Sequence, residues 1–556
     1  MKTRLLKLAP LLIALATIMA YWKLFDSTKQ FTAYDDNAYV TNQRLVKNMS
    51  SATVMEIFTP STSVASNYHP LTVLSLAIDY KLWGRNARAF GLVNLTLHIV
   101  TSILVLLLLR RLIGGDLLPE LGALWFAIHP LHVESVAWIS GRKDVLFGVF
   151  FVTSIIAYLR YLDAPRRSAL ALCFVAFVLS CLSKPTAIVL PLVLVMLDLW
   201  HGGGFTVRRV VEKLPFVVVS IVMGLITLRL QTADGAVADL ATFSIAERIG
   251  IASYGFAMYW IKFIWPLSLN AFYPYPHVGG AFAMPGYYYA FAAMPVFVLV
   301  LVVGRFWTST GETASLVSRL SSLVSRLSSL GLAWYTITII LVLHIISVGQ
   351  VIMADRYTYI PMVGMLCVAL SGVAMLMRKW RSLAWGVITV FTVTQGVLTF
   401  RQVGMWHDTE TLWTSILERS GNTGSPAEIR RKNLSDGYLP IYIYRGIHSF
   451  ESGNAEAAYE DLRSLLTYPS PRTDAYERLG LLAGMMGKID ESISAYTSAI
   501  NLGNASADAY LNRGISYLRT GRPAEASADF ETGLARNPLP ETEAMLRKGL
   551  GRITDY

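Results

Sequence analysis

Long apolar runs, separated by short polar segments, make up most of the chain as far as residue 405. A transmembrane helix requires roughly 20 predominantly apolar residues, and these runs approach or reach that length. The runs predicted to cross the membrane are 8–25, 89–109, 117–131, 144–162, 168–183, 186–200, 214–230, 288–304, 331–352, 359–377 and 383–400. The pattern therefore predicts an all-α fold, with a polytopic membrane domain over 1–405 that crosses the bilayer about eleven times.

Basic residues cluster at alternate ends of the predicted spans, and this asymmetry indicates their orientation. The clusters are Lys2, Arg4 and Lys7; Arg110 and Arg111; Arg160, Arg166 and Arg167; Arg208, Arg209 and Lys213; Arg305, Arg319 and Arg326; and Arg378, Lys379 and Arg381. By the positive-inside rule these ends face the cytoplasm, so the N-terminus lies inside and everything after Arg401 lies outside. The apolar stretch 249–265 would reverse that order if it crossed fully, so we expect it to be re-entrant or interfacial.

The chain turns polar after Trp406 and shows a repeat of 34 residues. Three sets of positions keep that spacing: Tyr442, Tyr476 and Tyr510; Gly446, Gly480 and Gly514; and Gly453, Gly487 and Gly521. Such a period is typical of tetratricopeptide helix pairs, whose arrays present a groove to a protein or peptide. Residues 406–556 are therefore predicted to form an extracytoplasmic α-solenoid, with repeats near 439–472, 473–506 and 507–540.

The composition excludes an ordinary soluble protein, because 54% of the residues are hydrophobic and only 15% are charged. The net charge of +11 follows from the cytoplasmic clusters, so we predict no nucleic-acid partner. All three cysteines lie inside apolar runs, which argues against a disulfide framework. The stretch Leu8 to Ala20 is followed by bulky Tyr21, Trp22 and Lys23 instead of a small-residue cleavage site, which favours a retained signal anchor.

Two adjacent carboxylates, Asp35 and Asp36, follow the first predicted span in the segment Tyr34-Asp35-Asp36-Asn37. Like charges in close contact make it costly to ionise both groups, which raises the pKa of one and prepares it to accept a proton. A helix N-cap is the structural alternative, since Asp satisfies free N–H groups at helix starts. For the pair together we favour a catalytic role.

Four cations, Arg142, Lys143, Lys184 and Arg356, lie at the predicted external ends of different spans. Cations at this depth require an anionic partner, and a lipid-linked sugar phosphate is a specific one. A base facing a phosphate leaving group is what glycosyl transfer from a polyprenyl phosphate requires. We therefore predict that these four side chains bind the phosphate of the donor, although Arg142 alone could also be a snorkelling residue.

Further polar residues on the same predicted face are expected to contact the sugar or the acceptor. They are Tyr34, His69, His129, His132 and Glu134. His129 and His132 share one helical face if the helix persists, which raises the alternative of a zinc site. Pro130 interrupts that helix and no third ligand stands at a metal-site spacing, so no metal is predicted.

Several of these segments together resemble the TMTC group, the transmembrane and tetratricopeptide-repeat O-mannosyltransferases of the GT-C superfamily. The segments are Tyr34-Asp35-Asp36, Tyr68-His69-Pro70-Leu71-Thr72, Leu92 to His98, Ile128 to Val136, and Gly141-Arg142 followed by Lys184. The likeness extends over nearly the whole chain, which looks like a bacterial relative of that group. It implies a multi-pass protein of the inner (cytoplasmic) membrane with a periplasmic repeat domain.

The resemblance also implies an inverting transferase that moves mannose or a similar hexose from a polyprenyl-phosphate carrier to a hydroxyl of a protein. By the family's motif, Asp35 is the base and Asp36 assists it. No cofactor is expected to be required, and a divalent metal is not expected. Two alternatives remain open: a non-catalytic membrane scaffold that assembles a secretion or pilus complex, and a transferase that acts on a glycolipid or polysaccharide.

Overall fold

The structure is a computed structural model. It describes residues 2–115, 117–202, 204, 206–233, 243–278, 281–282, 284–307, 316–343, 345, 351–420, 439–465, 473–503, 505–536, 538 and 540–554. Helices dominate, and the four strands among the described residues have two or three residues each, so the all-α prediction is confirmed. The chain divides into two compact units. The membrane unit comprises Met1–Tyr273 and Pro285–Leu412, and the repeat unit comprises Pro274–Met284 and Trp413–Tyr556.

The helices as far as residue 419 include long apolar helices and several short connecting ones. They are α1 (Lys2–Ala20), α2 (Arg44–Lys47), α3 (Ser51–Ile57), α4 (Pro70–Trp83), α5 (Ala87–Ile113), α6 (Leu118–Ile128), α7 (Val133–Ala137), α8 (Arg142–Asp163), α9 (Arg167–Ser183), α10 (Leu190–Trp200), α11 (Val207–Ala233), α12 (Ile245–Ile264), α13 (Ala293–Trp307), α14 (Leu316–Ile339), α15 (Pro361–Lys379), α16 (Arg381–Val403) and α17 (Thr409–Arg419). The strands are Tyr273–Pro274, His277–Val278, Ala281–Phe282 and Val351–Met353.

Six helical segments of the described residues are long and apolar enough to cross a membrane, as expected of a multi-pass membrane protein. They are Ala87–Ile113, Ile139–Asp163, Val207–Ala233, Ser325–Val342, Pro361–Lys379 and Arg381–Trp406, and the shorter apolar helices are Lys7–Ala20, Leu118–Ile128, Arg167–Ser183, Pro185–Trp200 and Gly286–Leu299. Each predicted span falls on one of these segments, and the number of crossings stays a prediction. Of the span predicted over 331–352, the helical part runs through α14 and the 3₁₀ turn Ile340–Val342, and Val351 and Ile352 belong to a strand. Residues 344 and 346–350 of that span lie outside the described part of the chain. The stretch 249–265 lies within α12, and its re-entrant or interfacial placement also stays a prediction.

Close helix packing fixes the framework of the membrane unit. Helix α8 packs against α5 and α9, and α14 packs against α15. At the α14–α15 crossing a Cβ atom on Gly331 would lie 2.4 Å from the backbone oxygen of Gly364, so only glycine fits there. Small residues of this kind let transmembrane helices approach closely.

The repeat unit contains paired helices at the predicted 34-residue spacing. They are α18 (Leu439–Glu451), α19 (Ala455–Leu465), α20 (Thr473–Met485), α21 (Ile489–Asn501), α22 (Ala507–Arg519), α23 (Pro523–Leu534) and the terminal α24 (Pro540–Thr554). A Cβ atom on Gly514 of α22 would lie 2.4 Å from the Phe530 ring of α23, which explains the small residue at that contact. Gly487 follows α20 with a φ of +77°, a conformation that favours glycine after a helix end. The predicted tetratricopeptide arm is thereby confirmed.

Candidate functional site: a cationic cavity beside Asp35

The two adjacent aspartates occupy different environments. The Asp36 carboxylate is buried and accepts four hydrogen bonds, from the backbone N and Oγ1 of Thr32 at 2.8 and 3.0 Å, and from the backbone N and Oγ of Ser140 at 3.0 and 2.5 Å. Ser140 belongs to the 3₁₀ turn Ile139–Gly141 that precedes α8. Asp36 therefore ties the loop that follows α1 to the start of α8.

Asp35 is the accessible member of the pair. Its side chain is 38% exposed, and its Oδ2 lies 3.9 Å from Nζ of Lys143. The raised carboxyl pKa belongs to Asp36, where burial is the main cause and the hydrogen bonds from Ser140 and Thr32 act in the opposite direction. Asp36 precedes the helical turn Asn37–Thr41, yet its side chain makes no capping hydrogen bond there.

Three of the four predicted cations line one cavity of about 430 Å³ in the membrane unit. They are Lys143 at the start of α8, Lys184 after α9, and Arg356 in the 3₁₀ turn Asp355–Thr358. The sequence distances between them are large, so the fold creates this convergence. Neutral polar side chains of His69, Asn67, Thr186, Thr227, Gln231 and Tyr357 share the lining.

The remaining wall of the cavity is apolar. Helix α11 contributes Gly224 and Leu228, and Pro185, Ile188, Leu341 and Val342 complete the apolar surface. Outward-facing apolar residues of α11, such as Val217, Val218 and Ile221, are exposed, as expected for a helix in contact with lipid. The lining of the cavity thus combines cations with apolar side chains, which suits an amphipathic anion such as a lipid phosphate.

Each cavity cation has a carboxylate partner. Lys184 forms an ion pair with Asp144. The guanidinium of Arg356 pairs with Glu134, whose second oxygen accepts a hydrogen bond from the Arg356 backbone N at 2.9 Å. The Glu134 carboxylate, together with nearby tyrosines, raises the pKa of Arg356 despite its burial. These pairs hold the two cations in place.

Aromatic rings position the first cavity cation, Lys143. Its Nζ lies 4.5 Å from the ring centroid of Tyr39 and 4.7 Å from that of Trp138. The guanidinium carbon of Arg356 lies 5.3 Å from the Trp138 ring, so one indole contacts both cations. Tyr34 packs against the same indole with ring centroids 5.3 Å apart. Cation–π contacts of this kind hold charged groups without neutralising them.

Arg142 is not brought together with the other three cations. Its guanidinium is buried, pairs with Asp79 of α4, donates to Asn94 Oδ1 at 2.5 Å and donates to the Phe90 backbone oxygen at 3.1 Å. It does not line the cavity. The neighbouring residue Lys143 does, because successive residues of a helix point in different directions.

The predicted histidines separate into two groups. His69 lines the cavity, stacks on Tyr39 with ring centroids 5.2 Å apart, and is held neutral because burial lowers its pKa to about 3. His129 and His132 instead bond to backbone, with His129 Nε2 3.0 Å from the Phe263 oxygen and His132 Nδ1 2.8 Å from the Phe126 oxygen. Neither of these two lines the cavity.

Within the described part of the chain, no three His, Cys, Asp or Glu side chains come together in a group that could hold a metal ion. The metal prediction stays untested. The contributors that sequence reasoning missed are Tyr39, Asn67, Asp144 and Gln231. Only Asp144 could have been identified from the sequence, because it directly follows the cations Arg142 and Lys143. The positions of the other three at the site depend on packing and have no local sequence pattern.

Taken together, the fold and the site define a multi-pass membrane protein with a tetratricopeptide arm and a cavity lined by three cations. A family model described as Tetratricopeptide repeat matches residues 507–538. Protein O-mannosyl-transferase TMTC2 of Mus musculus is 33% identical over 143 residues, covering 24% of this chain and 17% of that protein. Protein O-mannosyl-transferase TMTC4 of Mus musculus is 31% identical over 169 residues, covering 27% of this chain and 22% of that protein.

The resemblance to the TMTC O-mannosyltransferases is thereby confirmed for the matched part, which spans about a fifth of the length of these relatives. Among solved structures, the Archaeoglobus fulgidus oligosaccharyltransferase in the apo form is similar with a TM-score of 0.39 and 13% identity, covering 77% of this chain and 59% of that one. ArnT from Cupriavidus metallidurans bound to undecaprenyl phosphate has a TM-score of 0.35 and 14% identity, covering 96% and 81%.

Proposed function

We propose that this protein is a glycosyltransferase that moves a hexose from a polyprenyl-phosphate carrier to a hydroxyl of a protein acceptor at the external membrane face. The observation that carries the proposal is the cavity that joins three cations to an apolar wall, with Asp35 3.9 Å from one of those cations. The matched relatives are named protein O-mannosyl-transferases, which supports the same reaction class.

In the proposed reaction, the Asp35 carboxylate takes the proton of the acceptor hydroxyl while that oxygen forms a bond to the anomeric carbon. The bond between that carbon and the phosphate oxygen breaks, and its electron pair leaves with the phosphate. Lys143, Lys184 and Arg356 stabilise the negative charge that develops there. A single displacement of this kind inverts the configuration at the anomeric carbon.

The environments of Asp36 and Arg142 support positioning roles in place of the contacts expected from sequence. Asp36 has all its hydrogen-bonding capacity engaged by Thr32 and Ser140 and holds Asp35 in position. Arg142 is satisfied by Asp79, Asn94 and Phe90 and fixes the start of α8. Glu134 acts in the same way, because it orients Arg356.

The repeat unit is proposed to bind the protein acceptor, because tetratricopeptide arrays present an extended concave surface to peptides. A glycolipid acceptor is the second possibility for the same cavity. No cofactor is proposed, since the departing carrier is a monophosphate and three cations are present to stabilise it. We place the protein in a bacterial inner membrane with the repeat unit outside, on the basis of the positive-inside rule.

The test is release of polyprenyl phosphate from polyprenyl-phosphate mannose and polyprenyl-phosphate glucose by the purified full chain, with and without a protein acceptor. We expect Asp35→Asn to lower the rate by about 10²–10⁴-fold, the usual contribution of a general base. Asp163→Asn is the matched control, because Asp163 is exposed and pairs with Arg111 away from the cavity. Full activity of Asp35→Asn would refute the assignment, and absence of release by the unaltered protein would favour the scaffold alternative.

A further inference from the structure

A second cavity, of about 160 Å³, lies in the membrane unit where α10 and α11 meet. Most of its wall is apolar, and three charged residues complete the lining. The apolar residues are Val195, Leu199, Val210, Leu214 and Val217, Gly204 lies between the helices, and the charged residues are Asp198, Arg209 and Lys213. Among the described residues, none lines both this cavity and the one beside Asp35, so the two are separate.

The two cavities lie near opposite ends of α8. Lys143 lines the first cavity, whereas Tyr158, fifteen residues further along the helix, contacts Lys213 of the second. At 1.5 Å per residue this separation is about 22 Å, too far for a ligand of the second cavity to take part in the proposed transfer. By the positive-inside rule, the second cavity lies at the predicted cytoplasmic end of the helices.

A buried ion pair holds the second cavity together. The Lys213 ammonium pairs with Asp198 and donates to the Tyr158 hydroxyl at 2.8 Å and to the Arg209 backbone oxygen at 3.1 Å. The Tyr158 hydroxyl in turn donates to Asp198 Oδ1 at 2.6 Å. Since an ammonium has three donors, Lys213 is fully engaged and its charge neutralises that of Asp198. These contacts fix the ends of α8, α10 and α11 relative to one another.

Arg209 supplies a positive charge that this pair does not neutralise. Its Nη1 lies 3.6 Å from Asp198 Oδ1, and its guanidinium donates no hydrogen bond to any described residue. The side chain is 27% exposed, so other donors of the guanidinium can reach a ligand. With two cations and one carboxylate, the lining has a surplus of one positive charge, which an anion can balance.

The apolar wall indicates what kind of anion fits. Val210, Leu214 and Val217 line the cavity and are 51%, 51% and 39% exposed, so the wall is continuous with the outer surface of α11. Helix α11 is long and apolar enough to cross a membrane, and that surface is therefore expected to face acyl chains. Basic pockets between transmembrane helices at the cytoplasmic side bind anionic lipid headgroups. A free phosphate would leave the apolar wall without a partner.

We propose that this cavity binds one anionic glycerophospholipid, whose phosphate contacts the Arg209 guanidinium and whose acyl chain packs on Val210, Leu214 and Val217. A zwitterionic lipid fits less well, because the ammonium of its headgroup would need a carboxylate and Asp198 is already engaged by Lys213 and Tyr158. The bound lipid joins α10 to α11 at the end away from the transfer cavity. The inference does not depend on the proposed function.

Native mass spectrometry of the full chain in detergent tests the inference, because it counts bound lipids one by one. The probes are dioleoyl phosphatidylglycerol, which is anionic, and dioleoyl phosphatidylcholine, which is zwitterionic. We expect the unaltered protein to retain phosphatidylglycerol preferentially. Arg209→Gln should weaken binding of one phosphatidylglycerol molecule by about tenfold, the effect of one lost charge-assisted hydrogen bond, and change phosphatidylcholine binding by less than about twofold.

Each variant has a matched control at the next residue. Arg208→Gln should leave phosphatidylglycerol binding within about twofold, because Arg208 is 71% exposed, pairs with Glu212 and lies outside the lining. Val210→Trp fills the cavity and should also weaken phosphatidylglycerol binding. Val211→Trp should not, since Val211 is similarly exposed at 54% but lies outside the lining. Thermal unfolding without added lipid verifies that all four variants are folded.

Three results would overturn the inference. The first is equal retention of the two lipids by the unaltered protein. The second is equal weakening by Arg208→Gln and Arg209→Gln, which would assign the attraction to the basic surface as a whole. The third is unchanged phosphatidylglycerol binding in Val210→Trp. The carrier-release assay is a separate measurement, so failure of the proposed function is distinguishable from all three.

Discussion

At the scale of single residues, two neighbours in the chain can have different roles in the site. Asp35 is partly exposed beside Lys143, whereas Asp36 is buried and bonded to Thr32 and Ser140. The same divergence separates Arg142 from Lys143, and in each pair one residue contacts the cavity region while its neighbour maintains the local structure.

Removal of the Asp36 carboxylate should therefore act on folding as well as on catalysis. In Asp36→Ala the donors of Thr32 and Ser140 lose their acceptor in a buried place, and we expect the free energy of unfolding to fall by about 1–3 kcal/mol. Carrier release should fall too, because the loop that holds Asp35 is no longer tied to α8. Denaturant unfolding in detergent and the release assay measure the two effects.

Asp26→Ala is the matched control in the same loop, since that side chain is 46% exposed. It should produce the smaller loss of stability. Normal stability of Asp36→Ala together with lost activity would argue that Asp36 acts directly on the substrate, contrary to the positioning role.

At the scale of elements, buried ion pairs set the positions of the helix ends that surround the cavity. Arg142 at the start of α8 pairs with Asp79 of α4, and both side chains are buried. Its neighbours Lys143 and Asp144 then reach the cavity region from the first turn of the same helix. The ends of α4 and α8 are thereby held together, and the cation positions depend on that contact.

Breaking this pair should be far more costly than breaking a pair at the surface. Asp79→Asn leaves the Arg142 charge buried without its partner, for which we expect a loss of about 3–5 kcal/mol in the free energy of unfolding. Glu56→Gln is the comparison, because the side chains of the Arg44–Glu56 pair are 61% and 43% exposed, and such a pair should contribute about 0–1 kcal/mol. Unfolding in detergent measures both losses. Similar values in the two variants would contradict the proposal that Asp79 holds the ends of α4 and α8 together.

At the scale of the whole molecule, two compact units carry separate parts of the proposed activity. The cavity is formed within the membrane unit, and the 34-residue helix pairs are formed within the repeat unit. Exposed apolar residues occur at equivalent positions of successive first helices, with Leu481 of α20 and Ile515 of α22 each 41% exposed. Exposed apolar positions that recur along an array favour contact with a partner.

A double variant of these positions separates acceptor binding from chemistry. We expect Leu481→Glu with Ile515→Glu to lower transfer to a protein acceptor by at least about tenfold, as loss of anchor contacts does, and to leave acceptor-independent carrier release unchanged. Ser494→Glu with Ala528→Glu is the matched control, because these exposed residues hold equivalent positions on the second helices. If the double variant transfers normally, the acceptor is not held at these positions, which favours a glycolipid or polysaccharide.

Local patterns were sufficient for the class, the positions of the apolar helices and the repeats, because hydrophobic periodicity and a fixed 34-residue spacing act over short distances. Such patterns do not determine which way a side chain points. The sequence predicts that Arg142 contacts the phosphate, whereas helix α8 places Arg142 against Asp79 and Lys143 at the cavity. His129 and His132 share a short segment, yet one ring nitrogen of each contacts a backbone oxygen of another residue.

The cavity depends on contacts between residues that are far apart in sequence. Arg356 and Glu134 are separated by 222 positions, and Asn67 lies next to Gln231 of α11, 164 positions later. The chain alone shows which residues carry charge and which stretches form apolar helices. Which charges share a cavity depends on how each helix is rotated about its axis and packed. Rotating a helix by the angle between two successive residues moves a side chain to another face.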